Sequence, residues 1–395
     1  MNALQFQGNG FEYFKIWIVN ILLTIVTLGL YHPWAKVRNR RYFYANTTLD
    51  GHNFEYHATG KQLFVSHMIA MALLLTYLFV TNVAPLWAFV FVILFFVGFP
   101  WVIWRGLMFN MRMTSFSNVR FGFEGTLGQA YVNYMALPIV AMIAVYGPFI
   151  LLGVVIASQP ENPVLTGMVA LVAVLMAMIL GVFAVAWLVK RNHSYVVNGQ
   201  RYGQGAFSVT LDTSRFAGIY AKALVIYILG FIALTVLFFA VVFVSLGPEG
   251  LAQVGANAQN PEVLENALGG GIIVAVFVVY AGVFALGFAI WAYTTSRTRA
   301  YVYSNATLDS QITFASSLKA RRLFWVMFTN GLLVLFTLGL GHPWAKVRMT
   351  RLFLNETHVD TSSGIDQYVT QKQEQQSSLG EQIGDAFDVG VDVAF

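Results

Sequence analysis

Two copies of one seven-residue motif are the polar feature of this chain most suited to chemistry. His-Pro-Trp-Ala-Lys-Val-Arg occupies 32–38 and again 342–348, each time one residue after a Thr-Leu-Gly-Leu segment with an Asn further upstream. An imidazole at a bend can donate or accept a hydrogen bond, and an Asn amide can satisfy broken backbone groups or line a polar path. We therefore expect four residues to line a cavity or pore: Asn20, His32, Asn330 and His342.

The same motif also carries aromatic and basic residues typical of a membrane surface. Trp34 and Trp344 are predicted interface anchors, because indole rings favour the headgroup level of a bilayer. An Arg follows the Trp here and in three weaker copies of the pattern, giving a set of five: Arg38, Arg105, Arg191, Arg297 and Arg348. Two interpretations stay open for this set. The guanidinium groups either converge on a cytoplasmic mouth that holds an anion, or contact anionic phospholipid headgroups.

Catalytic and metal chemistry find little support in the sequence. The chain has no Cys, which excludes thiol nucleophiles, thiolate metal sites and disulfides. It has no nucleophile elbow, phosphate-binding loop or zinc-protease motif. We therefore predict no catalytic residues, no metal, no cofactor and no enzymatic activity. The apolar segments also contain no Asp, Glu, Lys or Arg, which argues against a common ion-coupled carrier.

The elements that position these residues are predicted to be membrane helices. Of the 395 residues, 57% are hydrophobic and 10% are charged, against about 25% charged in a typical soluble domain. Six apolar stretches are long enough for the roughly 20 residues that cross a bilayer. The predicted spans are 62–82, 86–108, 128–157, 164–190, 216–246 and 269–294.

The distribution of charge predicts the orientation. Of the 23 Lys and Arg residues, 21 fall in five segments: 31–63, 105–127, 190–222, 297–322 and 342–353. The connections between them on the other side carry Glu but no Lys or Arg. The positive-inside rule therefore places the basic segments, and with them both termini, in the cytoplasm. We explain the net charge of +5 by this asymmetry and expect no nucleic-acid partner.

A repeating pattern predicts how the helices are connected. Alternating runs around Asn, Asp and Gly turns follow each basic segment, as at 45–60 and 303–317, and are typical of β-hairpins. The repeating unit is thus two helices followed by a cytoplasmic hairpin, in a single domain over 1–360 with units 1–60, 61–126, 127–213, 214–317 and 318–360. Residues 1–10 and 352–360 supply single strands that could pair and close a ring.

The two copies of the heptapeptide allow two topologies. If 11–30 and 323–341 both cross the membrane, there are eight spans and the second motif lies outside, against the charge rule. If each segment enters and returns, there are six spans flanked by two re-entrant elements that bend at Thr-Leu-Gly-Leu. We predict the second arrangement: a polytopic α-helical membrane protein with a small cytoplasmic β layer and internal repeats.

Two segments resemble the YjgN-type family of bacterial inner-membrane proteins, a domain family of unknown function. They are FKIWIVNILLTIVTLGLYHPWAKVRNRRYFYANTTLDG and FEYHATG. The resemblance covers about 1–360 and implies a polytopic protein of the bacterial inner (cytoplasmic) membrane. It supplies no catalytic or binding residues.

The function expected from these features is a passive conduit or binding chamber for a small or amphipathic solute, an anionic one included. The alternative is a structural or lipid-organising protein whose basic face binds anionic lipid headgroups. The polar tail 361–395 has six acidic residues and only Lys372 as a base, so we expect a cytoplasmic segment that is flexible to about Gly380. The oligomeric state is left open.

Overall fold

Helices account for most of the residues that the structure describes. The computed structural model describes residues 1–158, 162–256, 271–360 and 368–374. The helices are α1 Gly10–Val26, α2 His32–Ala45, α3 Gly60–Val83, α4 Pro85–Arg112, α5 Leu127–Tyr131, α6 Leu137–Ser158, α7 Pro163–Gly199, α8 Thr213–Ala256, α9 Gly271–Asn305, α10 Ala320–Phe336 and α11 His342–Asn355. A π-helical turn at Val132–Ala136 joins α5 to α6, and α8 is kinked at Gly247.

Six helical stretches among the described residues are long and apolar enough to cross a membrane, as predicted. They are Gly60–Val83, Pro85–Arg112, Leu127–Ser158, Pro163–Gly199, Thr213–Val244 and Ala275–Asn305. Several run further than the sequence predicts; the fourth of the six, α7, continues nine residues past 190. These extensions carry the chain from the apolar layer to the strands. Residues 257–270, between α8 and α9, lie outside the described residues.

Two shorter helix pairs, α1–α2 and α10–α11, contain the heptapeptides. Each pair bends at Thr-Leu-Gly-Leu with two consecutive left-handed residues: Leu28 (φ 51°) and Gly29 (φ 91°), then Leu338 (φ 49°) and Gly339 (φ 92°). Thr27 stabilises the first bend, because its hydroxyl accepts a hydrogen bond of 3.0 Å from the amide of Tyr31. The helices on either side of each bend pack on each other, so each pair is a short helical hairpin.

The strands form one antiparallel sheet whose two edges come from the same segment. The strands are β1 Asn2–Ala3, β2 Gln5–Phe6, β3 Thr47–Leu49, β4 His52–Tyr56, β5 Thr114–Phe116, β6 Val119–Phe123, β7 Gln200–Tyr202, β8 Gly205–Val209, β9 Ala306–Leu308, β10 Ile312–Ser316 and β11 Thr357–Val359. The order starts at β1, continues to β11 and then descends to β2. Asn2 pairs with Val359, and Phe6 pairs with Thr47. Only Leu4 separates β1 from β2, so the strands close a ring, which we call the strand ring.

Pairing within the strand ring also decides where the short hairpins begin and end. β2 and β3 flank α1–α2 and pair with each other, with Gln5 opposite Thr48. β10 and β11 flank α10–α11 and pair in the same way, with Ala315 opposite His358. Each short hairpin therefore leaves the strand ring and returns to it. An eight-span arrangement would separate these strands by the thickness of a bilayer.

Five stretches of the chain have the same order of elements and the same spacing. Each consists of an incoming strand, two helices and an outgoing strand, and each incoming strand ends four residues before its helix begins. The helices pack mainly on their neighbours in sequence, and α1 packs on α11. A ring of helices thus stands on the strand ring, with the two short hairpins side by side.

The centre of the strand ring is an apolar core with one contribution from each repeat. The last residue of every outgoing strand is buried there: Leu49, Phe116, Tyr202, Leu308 and Val359. One residue of each of the four incoming strands β4, β6, β8 and β10 packs against them, and Leu4, just before β2, takes the fifth position: Phe54, Phe121, Phe207, Phe314 and Leu4. Burial of these side chains is the main attraction that can hold such short strands together.

Candidate binding chamber

A cavity of about 790 Å³ lies on the inner side of the strand ring, and we call it the chamber. Its walls are the apolar strand residues of the ring core together with inward faces of α7, α8 and α9. Polar groups are few and lie mainly on the helices: His193, Thr294, Thr295, Thr298 and Arg299. Mostly apolar walls with a small number of polar groups are typical of sites that bind small organic ligands.

Arg299 provides the positive charge of the chamber. Its guanidinium donates a hydrogen bond of 3.2 Å to the carbonyl oxygen of Phe353 and another to the hydroxyl of Thr357. The charge also lies over the rings of Tyr303 and Phe353, at 4.4 Å and 5.1 Å from their centroids. Its buried Nε has no acceptor among the described residues. The guanidinium is thus firmly held at the wall of the chamber.

The five predicted arginines occupy one equivalent position but do not line the chamber. Each lies nine residues before the first residue of its outgoing strand, and each is exposed: Arg38, Arg105, Arg191, Arg297 and Arg348. Arg299 lies two positions after Arg297, which on an α-helix is a rotation of about 200°. Because Arg299 faces the chamber, Arg297 faces away from it. The geometry therefore does not favour convergence of the five guanidinium groups on a central mouth.

The residue two positions after each of these arginines differs from repeat to repeat. Where it is polar and faces inward, it contributes to the polarity of the chamber. The residues two positions after the five arginines are Arg40, Leu107, His193, Arg299 and Thr350. Of these, His193 and Arg299 line the chamber. The sequence analysis singled out the first Arg of the Arg-Thr-Arg segment at 297–299 and missed the second. The period of the helix, counted back from the strand, could have identified it.

Residues 368–374 form a short helix that closes the strand side of the chamber. Tyr368 and Val369 line the chamber and join the apolar core of the ring. Lys372 Nζ lies 2.9 Å from Asp309 Oδ2, and the Tyr368 hydroxyl donates to the same carboxylate at 2.7 Å. Gln373 donates to the carbonyl oxygen of Ser117 at 2.6 Å. We call 368–374 the plug.

The plug differs from the flexible tail that the sequence predicts. The sequence predicts a flexible segment here, whereas the structure pairs Lys372, the one basic residue of 361–395, with an acidic turn residue, Asp309. Burial alone would raise the pKa of Asp309, but hydrogen bonds from Lys372, Tyr368 and the Ala206 amide outweigh it and lower the pKa. The carboxylate is thus held in its charged form. The remainder of the tail, 361–367 and 375–395, lies outside the described residues.

The four residues predicted to line a cavity lie in three different places, and only Asn20 and His32 share one. Asn330 is buried and joins its hairpin: it donates to the carbonyl oxygen of Ala345 at 3.0 Å and accepts from Arg348 at 2.9 Å. The ring of His342 stacks on Trp17, 5.9 Å between centroids. Asn20 and His32 line a second cavity beside α1 and α2. None of the four lines the chamber.

The two predicted Trp anchors pack between repeats. The Trp34 ring covers Gly60, at the start of α3, and lies 5.2 Å from the ring of Phe64. Trp344 covers Gly10, at the start of α1, and lies 5.2 Å from the ring of Phe14. Both glycines leave room that a Cβ atom would occupy. These indoles therefore act as wedges between one repeat and the next, a role the sequence analysis did not assign.

Six helices long and apolar enough to cross a membrane, together with two short hairpins and a strand ring that borders the chamber, are the architecture of a polytopic α-helical membrane protein. The chain belongs to the family described as bacterial proteins of unknown function (DUF898), whose model matches residues 1–386.

Curated relatives are similar over most of their length. The chain is 28% identical over 368 residues to the inner membrane protein YjgN of Salmonella typhimurium, covering 91% of this chain and 88% of that protein. It is 29% identical over 358 residues to the protein of the same name from Escherichia coli, covering 88% and 86%. No solved structure matches the chain. The relatives' names and the six apolar helices together identify a protein of the bacterial inner membrane.

Proposed function

We propose that this protein is a binding chamber for an amphipathic solute with an anionic group. The observation that carries the proposal is the chamber of about 790 Å³, whose walls are apolar and whose positive charge is Arg299. The apolar part of the solute would lie among the ring residues, where it loses contact with water. Its anionic group would accept a hydrogen bond from Arg299, whose Nε has no acceptor among the described residues.

The proposed orientation places the strand ring in the cytoplasm. The basic segments lie at the ring end of the helices, and the positive-inside rule assigns that end to the cytoplasm. The short hairpins would then re-enter the membrane from the cytoplasmic side. Their bends support this, because Leu28 and Leu338 are 86% and 93% exposed, as expected for side chains in contact with lipid.

Orientation is tested with single cysteines, since the chain has none of its own. An impermeant maleimide should label Ser310→Cys, in a ring turn, only from the cytoplasm. It should label Asn82→Cys, at the far end of α3, only from the periplasm. Labelling of Ser310→Cys from the periplasm would reverse the orientation.

Binding is tested with a fluorescent fatty-acid anion, dansyl-undecanoate, and protein in lipid nanodiscs. Thr295 lines the chamber four residues before Arg299, so Thr295→Glu places a carboxylate where it pairs with the guanidinium. We expect this variant to bind the probe about tenfold more weakly, as for loss of one charged hydrogen bond. Thr295→Gln, of equal size and no charge, should bind like the wild type. Equal binding by all three proteins would refute the proposal.

A lipid-organising function is the second candidate, and the five exposed arginines favour it. They occupy equivalent positions at one level of the helix ring, which suits contact with anionic headgroups. Substituting all five by Gln should reduce the anionic lipid that copurifies with the protein while leaving binding of the anionic probe in the chamber unchanged. Unchanged copurification of anionic lipid with this variant would argue against the second function.

A further inference from the structure

A second cavity of about 600 Å³ lies at the junction of the first and last repeats, and we call it the seam cavity. α1 and α2 form most of its wall, and Lys346 of α11 faces it from the last repeat. The seam cavity is separate from the chamber, since the two share no lining residue. An inference drawn from it is therefore independent of the proposed function.

Three cations and no carboxylate line the seam cavity. Lys36 and Arg40 lie one turn apart on α2, and Lys346 joins them from α11. Arg40 donates to the Tyr56 hydroxyl at 2.7 Å, and Lys346 donates to the Tyr13 hydroxyl at 3.1 Å. Lys36 makes no hydrogen bond or ion pair within the part of the chain that the structure describes. Like charges gathered in this way repel one another unless an anion lies between them.

A buried amide oxygen indicates that the ligand must also donate a hydrogen bond. Asn20 is only 3% exposed, and its Nδ2 donates to Asn39 Oδ1 at 3.0 Å. Its Oδ1 has no donor among the described residues. Buried acceptors are normally satisfied, so the ligand should carry a hydroxyl or ammonium group beside its anionic group.

The matching amide in the last repeat has no unsatisfied acceptor. Asn330 matches Asn20, but both atoms of its amide are hydrogen-bonded, to Ala345 and Arg348. Met349 stands there in place of Asn39. The unsatisfied acceptor thus occurs in only one of the two matching hairpins among the described residues. A purely structural role for the shared motif does not explain this difference.

Part of the remaining wall of the seam cavity is apolar, beside the polar side chains of Thr24, His32 and Asn39. Ile21 and Ile25 line it on the side toward the bend of the first hairpin, together with the Trp17 ring. A hydrocarbon chain there would contact apolar side chains near the exposed bend. The ligand that matches both walls is an amphiphile with a charged phosphate end.

We propose that the seam cavity binds one phospholipid with an anionic phosphate headgroup. Lys36, Arg40 and Lys346 contact the phosphate, and Asn20 accepts a hydrogen bond from a headgroup hydroxyl or ammonium. An acyl chain lies along Ile21 and Ile25. The binding energy comes from charge-assisted hydrogen bonds at one end and apolar burial at the other.

The test is a titration of delipidated full-length protein, followed by native mass spectrometry. Phosphatidylglycerol, phosphatidylcholine and inorganic phosphate are titrated separately. We expect one high-affinity phosphatidylglycerol that Lys36→Gln weakens about tenfold. Lys15→Gln, which removes an exposed charge outside the seam cavity, should have no effect. Lys36→Arg, which keeps the charge, should retain most of the affinity.

A second variant tests the apolar half of the site. Ile21→Trp fills the hydrocarbon end and should reduce phosphatidylglycerol binding without changing the weak binding of inorganic phosphate. Val19→Trp, on an exposed position of the same helix, is its control. Equal losses in Lys36→Gln and Lys15→Gln would overturn the proposal, because binding would then reflect general surface charge. Displacement of the lipid by equimolar inorganic phosphate would overturn it in favour of a soluble anion.

Discussion

The guanidinium of Arg351 donates a hydrogen bond of 2.8 Å to the carbonyl oxygen of Gly8, near the opposite end of the chain. Arg41 makes the same contact with Ala58, at 2.9 Å. Arg41 and Arg351 are matching residues of the two heptapeptide hairpins, and each holds the segment that leads into the next helix. The same arginine contact thus joins the last repeat to the first and the first repeat to the second.

Closure of the strand ring predicts a specific cross-link. Leu4 donates its amide to the carbonyl of Thr357 at 2.9 Å, so the neighbouring pair, Ala3 and His358, is a close pair without mutual hydrogen bonds. Ala3→Cys with His358→Cys should therefore form a disulfide under mild oxidation, seen as a mobility shift reversed by reductant. Ala3→Cys with Ala315→Cys, one strand further away, should not. Cross-linking of the control pair alone would contradict the ring.

The Trp wedges predict a stability effect at glycines. Gly60→Ala places a methyl group against the Trp34 ring and should lower the free energy of unfolding by about 1–3 kcal/mol, as for overpacking. Thermal unfolding of the solubilised protein measures the change. Gly98→Ala, in an open part of α4, should be neutral or stabilising. Adding Trp34→Phe to Gly60→Ala should recover part of the loss, and no recovery would argue against the wedge.

The plug predicts an effect of acid on the closure of the chamber. Because the pKa of Asp309 is lowered in the folded protein, its contribution to plug binding is fully present above the ordinary value of 3.8 and is lost as pH falls through the folded value. A cysteine at Val369 should thus be protected from maleimide at pH 7. Asp309→Asn should expose it at pH 7, as should removal of the ion pair by Lys372→Gln. Protection in all three proteins would show that apolar packing alone holds the plug.

We expect removal of the plug to change the permeability of the protein to small anions. If the chamber is continuous with a passage through the strand ring, deleting 368–395 should raise the efflux of a small anionic dye from proteoliposomes severalfold. The wild type should be nearly tight, because Tyr368 and Val369 lie in the apolar core of the ring. Equal, low efflux from both proteins would favour a closed chamber over a conduit.

Much of the architecture follows from local patterns in the sequence. Apolar length predicts the six spans, and the Asp50-Gly51 turn between alternating runs predicts a hairpin with two positive φ angles, as observed. The pairing of residues 1–10 with 352–360 was anticipated from the repeat, and the structure has it at Asn2 and Val359. These features depend on residues close in sequence or on a repeated phrase.

The site was harder to predict because it depends on which face of a helix is turned inward. Arg297 and Arg299 are the same residue type two positions apart, and only the helical period counted back from β9 tells the exposed one from the one that lines the chamber. Docking of Lys372 on Asp309 joins residues 63 positions apart in segments without a shared motif. Pattern and charge alone favoured a flexible tail there.

The pair of arginines on α9 gives a matched test of the chamber. Arg299→Gln should weaken binding of the anionic dansyl-undecanoate about tenfold and leave binding of the neutral dansyl-undecanol unchanged. Arg297→Gln, two residues away on the opposite face, should affect neither. If Arg299→Gln weakens both probes equally, the residue supports the fold through Phe353 and Thr357 rather than contacting the anion.

Location of the bound solute is the most direct test of the chamber. A diazirine-labelled fatty acid would be photo-cross-linked to the protein in nanodiscs, and the modified peptides identified by mass spectrometry. The account predicts modification of 291–303 in α9 and of the ring strands, reduced in Thr295→Glu but not in Thr295→Gln. Modification confined to lipid-facing positions of the six spans, unchanged in Thr295→Glu, would contradict it.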